Sequence, residues 1–302
     1  MKKHGNACNP GPYAAFSGTV QSQLWSAVKG RLSEEEMQRL SEGAGCTETM
    51  ERLRRGLTAQ AKEGGSFPPC PFFADEEVPS NYGYPPEFEQ KTPLEQLLQF
   101  GFLNLDCAPT LAYLKQLPGR PIGAEGLYPY VYPKWQRVAK TYGEALERML
   151  AAYSTRIGGN FSNFLNGKLG LEYLRQEERT VEAEKILAKE QTGEYLVVWA
   201  QFGFLHRGRS HRRARLCYLP HEFGLGAFAG SAMLLSHPDR LIRLEQLHLF
   251  LSGDKYNPEA DGGFSSAPLF HFGGDGRVGF GARWFDNAAG HYGSASAFLP
   301  QE

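Results

Sequence analysis

Apolar residues recur every three or four positions from Trp135 to Ile157: Trp135, Val138, Ala139, Tyr142, Leu146, Met149, Leu150, Tyr153 and Ile157. That step matches 3.6 residues per turn and predicts one amphipathic helix, stopped by Gly158-Gly159. A second helical pattern over about 171–191 turns Leu174, Val181, Ile186 and Leu187 inward among many Glu and Lys. Thr92-Pro93-Leu94-Glu95 reads as a helix start, with Thr at the N-cap, Pro at N1 and Glu at N3, and with Leu94, Leu97, Leu98 and Phe102 as the buried face. A short helix is expected over about 109–117, ended by Pro118-Gly119, and an aromatic loop carrying Tyr128, Tyr130, Tyr132 and Trp135 follows it. Nearer the start, Ser33 and Glu36 form a capping box with Leu32 and Met37 as its hydrophobic staple. Met37, Leu40, Met50, Leu53 and Leu57 then predict a helical hairpin broken around Gly43-Ala44-Gly45.

After Gly193 the period changes. Residues 195–205 form a run without a charge, rich in Val and aromatics, which predicts a strand buried on both faces. Ser210 reads as the cap of a short helix through Leu219, 222–235 as a helix rich in small residues, and 247–251 as a strand. Residues 269–272 and 278–280, joined by Gly273-Gly274-Asp275-Gly276, predict a β-hairpin. The expected fold is α+β: a mainly helical N-terminal part to about residue 191 and a mixed α/β C-terminal part built around the buried strand at 195–205. Prolines, glycines and aromatics crowd 64–86, so this segment is read as irregular chain lying on a surface and as the best boundary. The expected organisation is therefore 1–86, 87–191 and 192–302, the last two packing as one body.

Composition sharpens this only where it excludes something. With 302 residues, 41% hydrophobic and 13% aromatic, the chain can bury a real core, and disorder throughout is excluded. A formal net charge of -1 leaves no global attraction for polyanions or membranes, so any electrostatic function must come from local clustering. The five cysteines never form a C-x-x-C pair, which argues for reduced thiols over a disulfide framework or a zinc ribbon. No apolar run follows Lys2 and Lys3, and none approaches the ~20 residues that span a bilayer. An intracellular, cytoplasmic protein without membrane contact is expected.

Local clustering occurs once, directly after the apolar run, where Arg207, Arg209, Ser210, His211, Arg212, Arg213 and Arg215 stand within nine residues. If Ser210 opens a helix, Arg212 and Arg213 lie in its first turn, where the macrodipole disfavours positive charge unless an anion compensates. A phosphate or a nucleic-acid backbone would do so, with Trp199, Phe204 and Tyr218 close enough in sequence to stack bases. The competing reading pairs these arginines with the protein's own acids, such as those of 177–190. The leading expectation is a protein binding nucleic acid or another phosphate-bearing partner through this cluster. A second is a hydrolase-like enzyme for an anionic substrate, with His221, Glu222 and Asp254 as catalytic candidates. A third is a protein–protein adaptor using the aromatic-proline segments 67–84 and 128–135.

Two further patterns complete the candidates. Gly224-Leu225-Gly226-Ala227 matches a permissive dinucleotide-binding fingerprint, but no credible strand precedes it, so close helix packing is the preferred reading. Asn257, Glu259 and Asp261 alternate before a glycine like the opening of a calcium loop. The twelfth position is Pro268 instead of Glu, which favours a surface turn, and no cofactor is expected.

Overall fold

The computed structural model describes residues 73–121 and 127–301. Contacts divide the chain into Met1–Ala74 and Asp75–Glu302. The helical hairpin expected between residues 32 and 57 lies outside the described residues. Within them, seven helices accompany two β-sheets, a mixed α and β architecture. The helices are α1 (Pro93–Gln99), α2 (Ala108–Leu114), α3 (Trp135–Val138), α4 (Tyr142–Arg156), α5 (Glu178–Glu190), α6 (His211–Cys217) and α7 (Ala227–Ser236).

The smaller sheet has the order β1 (Tyr128–Pro133), β4 (Tyr195–Gln201), β11 (Ser296–Phe298), β5 (Glu222–Gly224), with antiparallel neighbours. The apolar run is therefore an interior strand, β4, paired on both sides, which is why a near-continuous hydrophobic sequence suits it. The aromatic loop expected before Trp135 is instead strand β1. Its prolines fit because β1 is an edge: Pro129 lies opposite Trp199 and Pro133 opposite Tyr195, and a residue without an N–H is tolerated where only one side pairs. Tyr130 and Tyr132 are buried and stacked on each other, so they are core and not an open docking surface.

The larger sheet runs β10 (Tyr292–Ser294), β6 (His248–Phe250), β8 (Ser266–Phe272), β7 (Asp254–Tyr256), β3 (Leu174–Gln176), and β9 (Val278–Trp284) joins β8 to β2 (Phe161–Asn163). The predicted hairpin is β8–β9, longer than the pattern suggested, with Gly276 supplying the left-handed turn residue at φ 77°. Only Ala295 separates β10 from β11, so one segment crosses from the large sheet to the small one. Ala295 N–H donates to the Phe250 carbonyl while its own carbonyl accepts from Leu225, tying three segments at the crossing.

Several helix boundaries differ from the periodic reading. The helix expected from Trp135 onward is broken by extended Ala139, and α4 starts afresh behind a capping box of Thr141 and Glu144. Leu174 belongs to β3, so α5 begins only at Glu178, and Ile186 is exposed. The Thr92–Glu95 capping box is present, yet α1 does not bury Leu94, Leu98 or Phe102. It docks through Gln96, Leu97 and Phe100, because the Gln96 amide donates to the Pro129 carbonyl and accepts from Val131 N–H, satisfying the free edge of β1. Residues 222–235 split into strand β5 and helix α7. Every residue of α7 is buried, and its packing against α4, β1 and α1 explains a helix that is apolar all round.

Candidate anion-binding site

The arginine run begins where β4 ends and leads through a turn into α6, whose first residues lie beneath the Asp75-Glu76-Glu77 segment. Ser210 caps α6 as its sequence suggests, its Oγ accepting from Arg213 N–H at 3.1 Å. The compensating anion at this end is the chain's own: Glu76, which accepts from Ser210 Oγ at 2.7 Å and from Arg212 Nε at 2.7 and 2.8 Å, and also binds an Arg212 terminal nitrogen. Glu77 bridges Arg209 and Arg213, each at 2.9 Å. Burial alone would raise the Glu77 carboxyl, but the two guanidinium groups hold it below its ordinary value. Main-chain bonds from Val78 N–H to Gly208 and from Ser210 N–H to Glu76 fix the two segments side by side.

The remaining members of the run also face inward. Arg215 donates to the carbonyls of Ser252 and Asp254 at 2.8 and 2.7 Å and lies over the Phe285 ring, and burial lowers its pKa. Arg207 packs over Phe204 and donates to the Tyr82 carbonyl. His211 stacks on Phe250 at 3.8 Å and shares a hydrogen bond with Ser252, and burial holds it well below the ordinary histidine value. None of these side chains belongs to an exposed residue. The run works as a clamp between the 75–80 segment, α6 and the larger sheet.

The three catalytic candidates differ in their surroundings. His221 lies near the surface, bonded to Gln301 and packed on Phe298. Glu222 is fully buried and accepts from His206 Nε2 at 2.6 Å, from Ser296 and from Leu219 N–H. Burial would raise its pKa, but His206, Ser296 and Leu219 hold it low. Because an Arg209 nitrogen can only donate to His206 Nδ1, at 2.9 Å, the imidazole is oriented with Nε2–H toward Glu222. Asp254 is also buried, accepting from Tyr142 at 2.8 Å and from Ala227 N–H at 2.7 Å.

Close packing explains the glycines of the dinucleotide-like stretch: Gly224 lies against the main chain of Ser252 and Gly253, and Gly226 against Asp254. A Cβ on Gly226 would stand 2.5 Å from Asp254 Oδ1 and 2.7 Å from the Tyr142 hydroxyl, and one on Gly253 would stand 2.3 Å from the Gly224 carbonyl. A carboxylate of the chain itself thus fills the place at the start of α7 that a pyrophosphate would take. Burial, with Glu184 adding to it, raises Asp254 to about 7. Its folded value exceeds its unfolded one, so its contribution to stability is complete below about 3.8 and lost as pH rises through about 7. This one group should cost the parent roughly 4 kcal/mol between pH 4 and 7, so the thermal midpoint of Asp254→Asn is expected to rise relative to the parent's as pH is raised over that range and to run parallel to it above about 7.5. Midpoints that stay parallel throughout would show that Asp254 is solvated.

The calcium-like turn is satisfied internally, with Asn257 donating to Asp261 Oδ1 at 2.9 Å and accepting from Glu259 N–H. Among the described residues no three His, Cys, Asp or Glu side chains are placed to hold a metal ion.

A cation without an acidic partner among the described residues stands elsewhere. In the β8–β9 register, His271 faces Gly279, Leu269 faces Gly281 and Ala267 faces Arg283, so these six share one face of the larger sheet. Tyr292 lies opposite His248 on the same side. Exposed Arg283 makes only long contacts, at 3.4 Å, to the Tyr292 hydroxyl and the Ala282 carbonyl, and among the described residues no carboxylate pairs with it. His248 packs between His271 and His291, with ring centroids 6.1 and 4.9 Å away. Only 6% of His248 is exposed, and neither of its ring nitrogens meets a hydrogen-bond partner, nor does His271 Nδ1. Burial, then the neighbouring His291, His271 and Arg240, pushes His248 down to about 3. Burial followed by Arg283 also lowers His271 and His291.

Sequence reasoning passed over this rim because no two of its histidines are close in sequence. The one available signal was the hairpin itself: fixing its register places His271, Gly279, Gly281 and Arg283 on one face. No family model matches the chain, and neither the curated proteins nor the solved structures contain a match to it.

Proposed function

We propose that the protein binds a phosphate-bearing ligand, and that the anionic group is held at Arg283 with the imidazoles of His271 and His291. The observation that carries this reading is an exposed guanidinium with no carboxylate partner among the described residues, close enough to the His271 and His291 rings to act on both, with His271 Nδ1 buried and without a hydrogen-bond partner. Arg207, Arg209, Arg212, Arg213 and Arg215 would give the same ligand few free donors, since Glu76, Glu77 and main-chain carbonyls already accept from them. That speaks for moving the anion contact from the run to the rim. An imidazole N–H and a guanidinium both donate, so together they suit an oxyanion better than a cation. A second reading, the hydrolase-like one, has less support because Glu222 and Asp254 are sealed in the core while the neighbouring His221 has its ring against Phe298 and Gln301.

Inorganic phosphate titrated by calorimetry at low salt tests the proposal. The parent is expected to bind and to weaken as salt rises, and Arg283→Ala to lose at least tenfold in affinity. Arg156→Ala, which removes an exposed arginine at the end of α4, is expected to bind like the parent. Equal binding by Arg283→Ala and the parent would sink the proposal, as would no binding by the parent.

A further inference from the structure

The rim carries one more feature that folding does not explain. Phe164 is 66% exposed, yet its position is fixed: its N–H donates to the Phe280 carbonyl at 2.9 Å, and the Asn163 side chain accepts from the next N–H. Its ring lies nearly parallel to His271, at 16° and 5.8 Å between centroids. Gly279 makes this possible, because a Cβ there would stand 2.4 Å from His271 and 2.9 Å from Phe164. At Gly281 the same two rings lie 3.9 Å away. The pair thus forms a flat aromatic slab over the glycine positions of β9. Arg283 is the next residue on that face, roughly 7 Å along the strand from Gly281.

An exposed ring supported from behind, one strand step from a guanidinium without an acidic partner among the described residues, matches a ligand with a planar base at one end and a phosphate at the other. Resting on the anion site argued above, we propose that the ligand is a nucleoside phosphate whose base stacks on Phe164 while Arg283 holds its phosphate. Aromatic stacking of a base is sequence-tolerant, and its usual strength corresponds to roughly 5- to 100-fold in affinity. The chemistry is shared by a free nucleotide and by a single-stranded nucleic acid.

The test compares adenosine monophosphate, ribose 5-phosphate and the oligonucleotide r(A)8 on the full chain. Adenosine monophosphate is expected to bind about tenfold or more tighter than ribose 5-phosphate. Phe164→Ala should erase that margin while leaving ribose 5-phosphate affinity unchanged, Phe164→Trp should keep it, and Arg283→Ala should weaken all ligands. If r(A)8 binds no tighter per base than the mononucleotide, the free nucleotide is the source; a larger gain marks a strand. Equal binding of adenosine monophosphate and ribose 5-phosphate to the parent overturns this inference but spares the anion site. If neither ribose 5-phosphate nor inorganic phosphate binds, both fall. A margin that survives in Phe164→Ala places the base elsewhere and also overturns it.

Discussion

Glu222→Ala is expected to lower the unfolding free energy by about 3–5 kcal/mol, the consequence of removing a fully buried acceptor on which several donors depend. The side chains of Glu222 and His206 are 0% and 3% exposed, so solvent does not soften the loss. The substitution strands three donors at once: His206 Nε2–H, the Ser296 hydroxyl and Leu219 N–H. It also frees His206 to turn, and with it the bond from Arg209 that continues through Glu77 to Arg213. Glu222→Gln keeps the shape but offers one acceptor where two served, and is expected to fall between Ala and the parent. Urea unfolding monitored by tryptophan fluorescence reads the effect as a drop in midpoint at constant slope. A loss below 1 kcal/mol would mean that the cluster rearranges or takes up water. Glu222 then matters to the molecule as the inner anchor of the arginine clamp.

That clamp shows where sequence reasoning reached and where it stopped. The local signals were sound: Ser210 does cap α6, the first turn does carry Arg212 and Arg213, and an anion does compensate them. What could not be read was that the anion comes from Glu76, more than 130 positions away, since nothing local specifies a pairing at that distance. The same division holds for the fold. β4 and the β8–β9 hairpin were legible because a charge-free run and a glycine turn are local features. The α1 face was misread because the hydrophobic pattern cannot show that Gln96 is needed to satisfy a strand edge. The long helix from Trp135 was misread because period alone carries no warning of the break that Thr141 then caps. Side chains brought together by register, such as His248, His271 and Arg283, emerge only after strands are paired.

Part of the protein's stability should be withdrawn as pH falls below about 6.5, set against the gain that protonating Asp254 brings over the same range. Two buried histidines set this expectation. His237 accepts from Lys91 N–H through Nε2 at 3.1 Å and turns Nδ1 to the Met233 carbonyl, so its neutral form is built into the fold. Burial, only partly opposed by Met233 and Asp239, lowers it to about 4, and His248 is lowered to about 3. Both folded values lie below the unfolded one, so the folded state binds fewer protons. The contribution to stability is complete above about 6.5 and is withdrawn as pH falls toward 4 and then 3. The expected loss is roughly 3 kcal/mol from His237 and a comparable amount from His248. His237→Phe should start less stable at pH 7.5, with Lys91 N–H unpaired, yet lose less of what it has by pH 4.5. Thermal midpoints across that range decide it, and parallel curves for variant and parent would remove His237 from the account. The same measurement reaches the ligand site. Sulfate does not titrate here, and bound at Arg283 it would favour protonation of the imidazoles beside it. It should therefore move the acid midpoint of the parent to lower pH at fixed ionic strength. Sulfate also strengthens burial in proteins generally, so Arg283→Ala is the decisive comparison. If sulfate protects the variant as well as the parent, the effect is that general one and the rim has no part in it.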